Sequence, residues 1–403
     1  MKTVFIVCKK RLSYFNFKNI PGITKFNLIL ISLNSEKQNI STSVLNCFES
    51  YFFVDDLDEK TIKNIIQAVK ERLKLNNDFK IICLDETLLL SIAKLREIYN
   101  IVGAKYNDLL PFRDKLLMKE KLKNSNVNVP KFIKLDKNSE CENFDQLYES
   151  IVKLTSSPFI IKPVDGASSI NTIKIENKNQ FLKLNLKNGD LYEYEAEQYI
   201  DGTLYHVDGL FFDKKVIFSS VSENINPCLT FTVGKITGSI PLQKEDKIAE
   251  KMLSECNKVI KCLLLPDGAF HAEFFLTKDN KAVFIEIAAR PAGGPIVETL
   301  EKSFGINLYE SILRRELNMQ IKVNVTNNTY FGWAYLPIRL GVVEKLDLPK
   351  LISHHKIDWE IQLGENIVSM PVSVTGKKAG VLQFWNKDYV MLRQDFDYLR
   401  QYY

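Results

Sequence analysis

The stretch Gly268–Gly294, GAFHAEFFLTKDNKAVFIEIAARPAGG, decides how this chain is read. It holds two runs of alternating apolar and polar residues, AFHAEFFL and AVFIEIAA, around a tip whose central pair, Asp279-Asn280, suits a two-residue hairpin turn. Pairing Lys278 with Lys281 fixes the register and sets Glu273 directly across from Glu286. Cross-strand partners have Cβ atoms roughly 4.5–5.5 Å apart, where like charges repel, so a cation belongs between these two carboxylates. A divalent metal ion is the natural candidate; a solvated hairpin whose two acids share a wet face is the plain alternative. Arg290 and a flexible Pro-Ala-Gly-Gly follow at once, placing a fixed cation and mobile backbone beside the acids. His271 shares the Glu273 face, opposite Ala288, and either meets a ligand, orients a carboxylate or is structural.

Composition bounds the remaining readings. A chain of 403 residues is long enough for two or three domains, and 45% hydrophobic with 26% charged content is ordinary for a globular protein. A formal charge of +5, spread along the sequence, demands neither nucleic acid nor an acidic membrane as partner. Seven cysteines (Cys8, Cys47, Cys83, Cys141, Cys228, Cys256 and Cys262) are odd in number and scattered without a CxxC pair. Buried free thiols in a reducing compartment are expected, and with no apolar stretch of spanning length a cytoplasmic location is expected too.

Working outward, residues 1–107 alternate strand signals (TVFIVC, NLILIS, SYFFV, FKIICL) with helical ones that start near Asp58 and at Asp85, a βαβ pattern with a parallel sheet. A basic helix follows Pro111 and carries Lys115. PFIIKP is a buried-type strand ending in Lys162, and its link to the strand TIKIEN holds Gly166, Ala167, Ser168 and Ser169. Small residues there let backbone N–H groups approach an anion that the lysine also reaches, although an ordinary hairpin loop reads the same way. Glu197 ends an alternating run, and His206 and Asp208 share one face of the next strand as a surface pair or, less often, metal ligands. Asp246 to Leu264 is a core-facing helix with Cys256 in its apolar stripe, and the chain beyond Val323 is strand-rich and aromatic.

A βαβ unit, FRDKLLMKEKL with VPKF, PFIIKPVDGASS, EQYIDG, HAEF and IEIAARPAGG, in that order, resembles the ATP-grasp enzymes, and more narrowly the carboxylate-amine ligases that include L-amino-acid ligases and carnosine synthase. The resemblance implies an α/β and α+β chain: a βαβ pre-ATP-grasp domain at 1–107, a two-lobed ATP-grasp domain at 108–318 with its lid lobe at about 143–200, and a small α+β C-terminal domain at 319–403. It implies that Lys115 and Lys162 contact ATP phosphates, that the loop Gly166, Ala167, Ser168 and Ser169 closes over them, and that Glu197 with the backbone of Gln198 and Ile200 holds adenine. Glu273 and Glu286 would bind one or two Mg²⁺ ions, with Mn²⁺ as a substitute. Arg290, with N–H groups of Gly293 and Gly294, would stabilise an acyl phosphate and the developing oxyanion.

Two departures bear on those expectations. Many ATP-grasp enzymes carry an Asn metal ligand where this chain has Ala288, which puts the second ion in doubt. Many carry an acidic ribose ligand where this chain has Leu204, so that either His206 or Asp208 takes that role or the contact is absent. The implied function is an ADP-forming ligase that joins a small carboxylate to an amine, working as a homodimer. Another ATP-grasp chemistry, such as carboxylation or a purine-type synthesis, and a non-catalytic nucleotide binder are the alternatives.

Overall fold

The computed structural model describes residues 2–10, 12–17, 20–135, 144–184, 193–321, 328–347 and 350–402. The four apolar runs of the N-terminal part form a parallel sheet in the order Ser50–Val54, Phe26–Leu33, Lys2–Cys8, Phe79–Cys83. Helices cover both faces, so the two central strands are buried on both sides: Val4 and Ile6 enter one core, Phe5 and Val7 the other. The helix Glu59–Leu73 begins where expected, with the Asp58 carboxylate accepting the Thr61 N–H. Asp85 does not cap in this way. It precedes a short 3-10 turn, Glu86–Leu88, and its carboxylate accepts the Lys9 N–H at 2.8 Å instead, tying together the ends of two adjacent strands.

Besides a two-stranded pair, Gly341–Val342 with Asn366–Ile367, two antiparallel sheets follow. One is small, in the order Phe132–Leu135, Tyr194–Gln198, Phe159–Pro163, Ile173–Ile175. The other has eight strands: Ala282–Ala288, Gly268–Thr277, Gly202–Phe212, Lys215–Asn224, Thr237–Pro241, Tyr330–Leu336, Gly380–Asn386 and His354–Trp359. Helix Lys247–Leu263, capped by Asp246, lays Met252, Cys256 and Val259 on this sheet against Phe274 and Phe284, as its periodicity implies.

The large sheet runs without a break into the C-terminal region, because Thr237–Pro241 pairs with Tyr330–Leu336. The boundary expected at 318 therefore falls between strands of one sheet. Gly238 sits at that seam, where a Cβ would lie 2.1 Å from the Trp333 carbonyl oxygen, so only glycine lets the two backbones meet. Cys8, Cys47, Cys83, Cys228, Cys256 and Cys262 are free thiols, of which Cys8, Cys83 and Cys256 are buried; Cys141 lies outside the described residues. No described helix is long and apolar enough to cross a membrane.

The last helix, Tyr389–Tyr402, is held to the sheet by charge as well as by Leu392, Phe396 and Leu399. Glu223, 4% exposed, accepts Arg393 at 2.7 and 3.1 Å and Arg400 at 2.7 Å. Burial raises the Glu223 pKa, but the two guanidinium groups outweigh it and hold the carboxyl below its usual range. A depressed carboxylate stabilises the fold above its unfolded pKa and loses that contribution as pH falls through the folded one. Glu223→Gln is expected to cost about 2 kcal/mol at pH 7 in urea denaturation, less than a fully buried pair because both arginines are partly open to water. That difference should shrink as the pH falls below about 4.3.

Candidate active site

Glu273 and Glu286 face each other across adjacent strands, but by a route other than a two-residue turn. The turn is one residue longer: Thr277 pairs with Lys281 (N to O 3.0 Å), the Thr277 hydroxyl accepts the Lys281 N–H, and Asn280 takes a left-handed conformation at φ 61°. From this tip Leu276 pairs with Ala282 and Phe274 with Phe284, one residue out of step with the expected pairing. A bulge then passes over Ile285 between the Phe274 and Glu273 pairs and brings Glu273 back opposite Glu286. Without it, Glu286 would lie opposite Ala272 and point to the other face of the sheet.

The two acids border a cleft of about 590 Å³ between the small and large antiparallel sheets, within the range of small-ligand sites. Lys115, Lys162, Gly166, Ala167, Ser168, Ser169, Glu197, Gln198 and Ile200 line it with them. Lys115 is the first residue of helix Lys115–Leu122, whose cap is Asp114. Its Nζ donates to the Gly166 carbonyl at 2.6 Å and lies 3.2 Å from Glu286. Lys162, at the end of its strand, is 2.6 Å from Glu197. Burial alone would raise the Glu286 pKa; Lys115 and Lys162 outweigh it and hold it at about 2. At Gly166 a Cβ would lie 3.1 Å from the Pro163 ring, a tight contact that would press the ring aside. Ser168 and Ser169 both sit at positive φ, 57° and 56°, a conformation that costs non-glycine residues about 1–2 kcal/mol each and that gathers at ligand-binding loops.

Behind the cleft wall lies a buried network that single residues did not announce. Lys119, with 0% exposure, reaches Glu195 at 2.5 Å and Glu197 at 2.6 Å. The Glu197 carboxylate is therefore committed to Lys119 and Lys162, and it aims the Lys162 ammonium. Burial opposes ionisation of Glu197, and the two lysines reverse that effect and lower its pKa. Spacing offered the signal: Lys119 is one helical turn after Lys115, and Glu195 shares the Glu197 face. Gln198 lines the cleft, but its backbone N–H is spent on the Lys131 carbonyl and cannot serve adenine.

Arg290, Gly293 and Gly294 lie beyond the cleft lining, on the segment that leaves Glu286. Arg290 donates through Nε (2.8 Å) and Nη2 to Glu86, which also receives Arg113 at 2.7 Å. Burial would raise the Glu86 pKa, and Arg290 followed by Arg113 lowers it overall. Arg113 in turn donates to the Asp165 carbonyl, next to the loop Gly166–Ser169. Glu86 was missed because it reads as part of a helix start; its signal is position, just past the Phe79–Cys83 strand, next to where the strand order reverses. Gly294 has φ 58° and no room for a Cβ, which would lie 2.9 Å from the Tyr335 hydroxyl.

His206 and Asp208 are neither a surface pair nor ribose ligands: they are 2% and 0% exposed. The ring nitrogens of His206 meet Asp208 at 2.5 Å and Ser239 at 3.0 Å, which leaves none for a nucleotide. His271 bridges Asp208 (2.8 Å) and Glu273 (3.3 Å). Burial pushes the His271 pKa down, yet these two carboxylates raise it to about 10. Although His206, Asp208 and His271 have ligating atoms within 4.8 Å of one another, those atoms already hydrogen-bond each other. Leu204 is buried at the cleft wall.

Residues 112–294 match the ATP-grasp domain family model. The chain carries an ATP-grasp domain over these residues. It is 28% identical over 324 residues to an L-arginine-specific L-amino acid ligase of Bacillus subtilis, covering 76% of each chain. It is 25% identical over 276 residues to an alanine–anticapsin ligase of Bacillus subtilis, covering 61% of this chain and 56% of that one. Among solved structures, an L-amino acid ligase from Bacillus licheniformis superposes with a TM-score of 0.73 at 18% identity, over 100% of this chain and 97% of the other. An N5-carboxyaminoimidazole ribonucleotide synthetase from Thermotoga maritima gives 0.63 at 17%, over 100% and 98%. At such identities the structures speak for the fold alone.

ATP-grasp enzymes generally use ATP with Mg²⁺, and the residues present fit that ion. Two opposed carboxylates offer hard oxygen donors, and Glu286 already attracts two ammonium groups, as a site short of positive charge should. Glu286→Gln is expected to weaken binding of an ATP analogue with Mg²⁺ by about 10-fold or more. Binding of the same analogue in EDTA should be undiminished, because Lys115 is freed for the phosphates. Isothermal titration calorimetry under both conditions reads the difference.

Proposed function

We propose that the protein is an ATP-dependent carboxylate-amine ligase that forms an amide bond between amino-acid substrates through an acyl phosphate, releasing ADP and phosphate. The observation that carries this reading is the convergence, in one cleft, of opposed carboxylates with Lys115 and Lys162, next to an arginine on the segment leaving Glu286. A carboxylate oxygen of the first substrate attacks the γ-phosphorus and ADP leaves; the amine nitrogen of the second then attacks the acyl carbon and phosphate leaves. Phosphorylation is needed because oxide is too poor a leaving group for direct amide formation. The metal, when bound, offsets the negative charge shared by the phosphates and the attacking carboxylate.

The chain's own residues do the rest. Lys115 and Lys162 hold the phosphates, with Lys162 aimed by Glu197. The loop Gly166–Ser169 folds over them and excludes water from the acyl phosphate. Arg290, held by Glu86, neutralises the acyl phosphate, and the turn at Gly293 and Gly294 adds N–H donors for the oxyanion. One or two ions serve the site, with Mn²⁺ able to substitute, and Ala288 supplies no ligand to a second.

Because one similar protein is named for L-arginine, pairs containing L-arginine are the first to test. Incubating the protein with ATP, Mg²⁺ and pairs of amino acids should release ADP together with a product of dipeptide mass, and Glu286→Gln should lower that rate about 100-fold or more. ADP release driven by bicarbonate without amide product, or none with any pair despite nucleotide binding, would contradict the proposal.

A further inference from the structure

A hydrogen-bonded chain of buried side chains crosses the large sheet beneath the acid pair, and the reaction above makes no use of it. At its far end the Trp333 indole N–H donates to Ser239 Oγ at 2.9 Å. The Ser239 hydroxyl lies 3.0 Å from His206 Nε2, and His206 Nδ1 lies 2.5 Å from one oxygen of Asp208. The other Asp208 oxygen takes His271 Nδ1 at 2.8 Å, and His271 Nε2 reaches Glu273 at 3.3 Å. The order of donors is set by the ends. Trp333 only donates and the two carboxylates only accept, so Ser239 accepts from Trp333, His206 donates to Asp208, and His271 donates from both ring nitrogens.

Two links run along a single strand, His206 to Asp208 and His271 to Glu273, and the other three join strands that are near neighbours in the sheet. Asp208 lies opposite His271, and His206 opposite Glu273, between strands Gly202–Phe212 and Gly268–Thr277. Ser239 lies opposite Trp333 between strands Thr237–Pro241 and Tyr330–Leu336. Asp208, His206 and Ser239 are at most 2% exposed, and Trp333 is 6% exposed. A chain this dry is costly unless every member is satisfied, so its geometry is over-determined. The Trp333 ring also packs near Gly294, in the turn that follows Arg290.

We propose that His271 is a positioning residue for the metal-binding carboxylate of Glu273, locked by Asp208, and that the chain through His206 and Ser239 to Trp333 ties that carboxylate to the C-terminal part of the sheet. The inference rests on the reading of Glu273 and Glu286 as metal ligands. Its consequence is that the cation site is preformed by groups with no contact to cation or nucleotide. Partners that orient a ligating group commonly set 10- to 100-fold of metal affinity, because a free carboxylate must be ordered each time the ion binds.

The test measures Mn²⁺ affinity by electron paramagnetic resonance on the full chain, with a non-hydrolysable ATP analogue, and analogue affinity in EDTA by calorimetry. His271→Leu and Asp208→Asn should each weaken Mn²⁺ about 10-fold or more. His271→Gln, which keeps a donor near Glu273, should recover most of that loss, and Trp333→Phe, remote from the ion, should weaken Mn²⁺ measurably. Affinity for the analogue in EDTA should stay within about twofold throughout, which a merely structural lesion would not allow. The proposal is overturned if Mn²⁺ affinity is unchanged in folded His271→Leu, Asp208→Asn and Trp333→Phe proteins while Glu286→Gln loses it. It is also overturned if analogue affinity falls equally with and without the cation. Wild-type protein that binds no Mn²⁺ would instead remove the metal reading, and the inference with it.

Discussion

Two carboxylates held face to face on neighbouring strands repel unless positive charge lies between or beside them, and the architecture around the cleft answers that constraint. Lys115 comes to Glu286 from a helix N-terminus. Lys162 comes from the small sheet, held against Glu197. Lys119 balances Glu195 and Glu197 behind it. Positive charge is thus concentrated beside the acid pair, with each ammonium buried and held by a carboxylate. The same logic repeats on the other side of Glu286, where Glu86 spaces Arg290 and Arg113 apart.

The hinge of this arrangement is one skipped residue. A straight hairpin grown from the observed turn would put Glu273 and Glu286 on opposite faces of the sheet, and the bulge at Ile285 reverses that. The large sheet can afford the local disruption because Phe274 and Phe284 pack edge to face at 5.4 Å just beyond it, and strand Gly202–Phe212 pairs along the whole of Gly268–Thr277 on the other side. Catalytic geometry here is set in the backbone register, with side-chain networks such as the Asp208–His271 pair refining it.

Local signals in the sequence carried most of the elements. The four parallel strands, the helices capped by Asp58 and Asp246, and the strand ending at Lys162 follow from period and caps. The opposition of Glu273 and Glu286 was legible too, although through compensating deviations: the turn is a residue longer than Asp279-Asn280 suggests, and the bulge restores the pairing. The bulge falls in the apolar run 282–285, where no polar residue marks which face each side chain takes. Long-range partners were the other loss. Glu86 meets Arg290 across 204 positions of sequence, and His206 with Asp208 looked like a polar surface pair because alternation cannot say which face of an eight-stranded sheet is covered.

The most direct test of the account follows oxygen. Amino acids labelled with ¹⁸O in the carboxylate are supplied with ATP, Mg²⁺ and an amine partner, and the inorganic phosphate is analysed by mass spectrometry. Phosphorylation of the carboxylate in this cleft predicts one ¹⁸O carried into phosphate for each amide formed, with ADP as the other product. Phosphate free of label, or label appearing in AMP, would mean that the carboxylate is not activated at the γ-phosphate, and the assignment of the lysines, the acid pair and Arg290 to that step would fall.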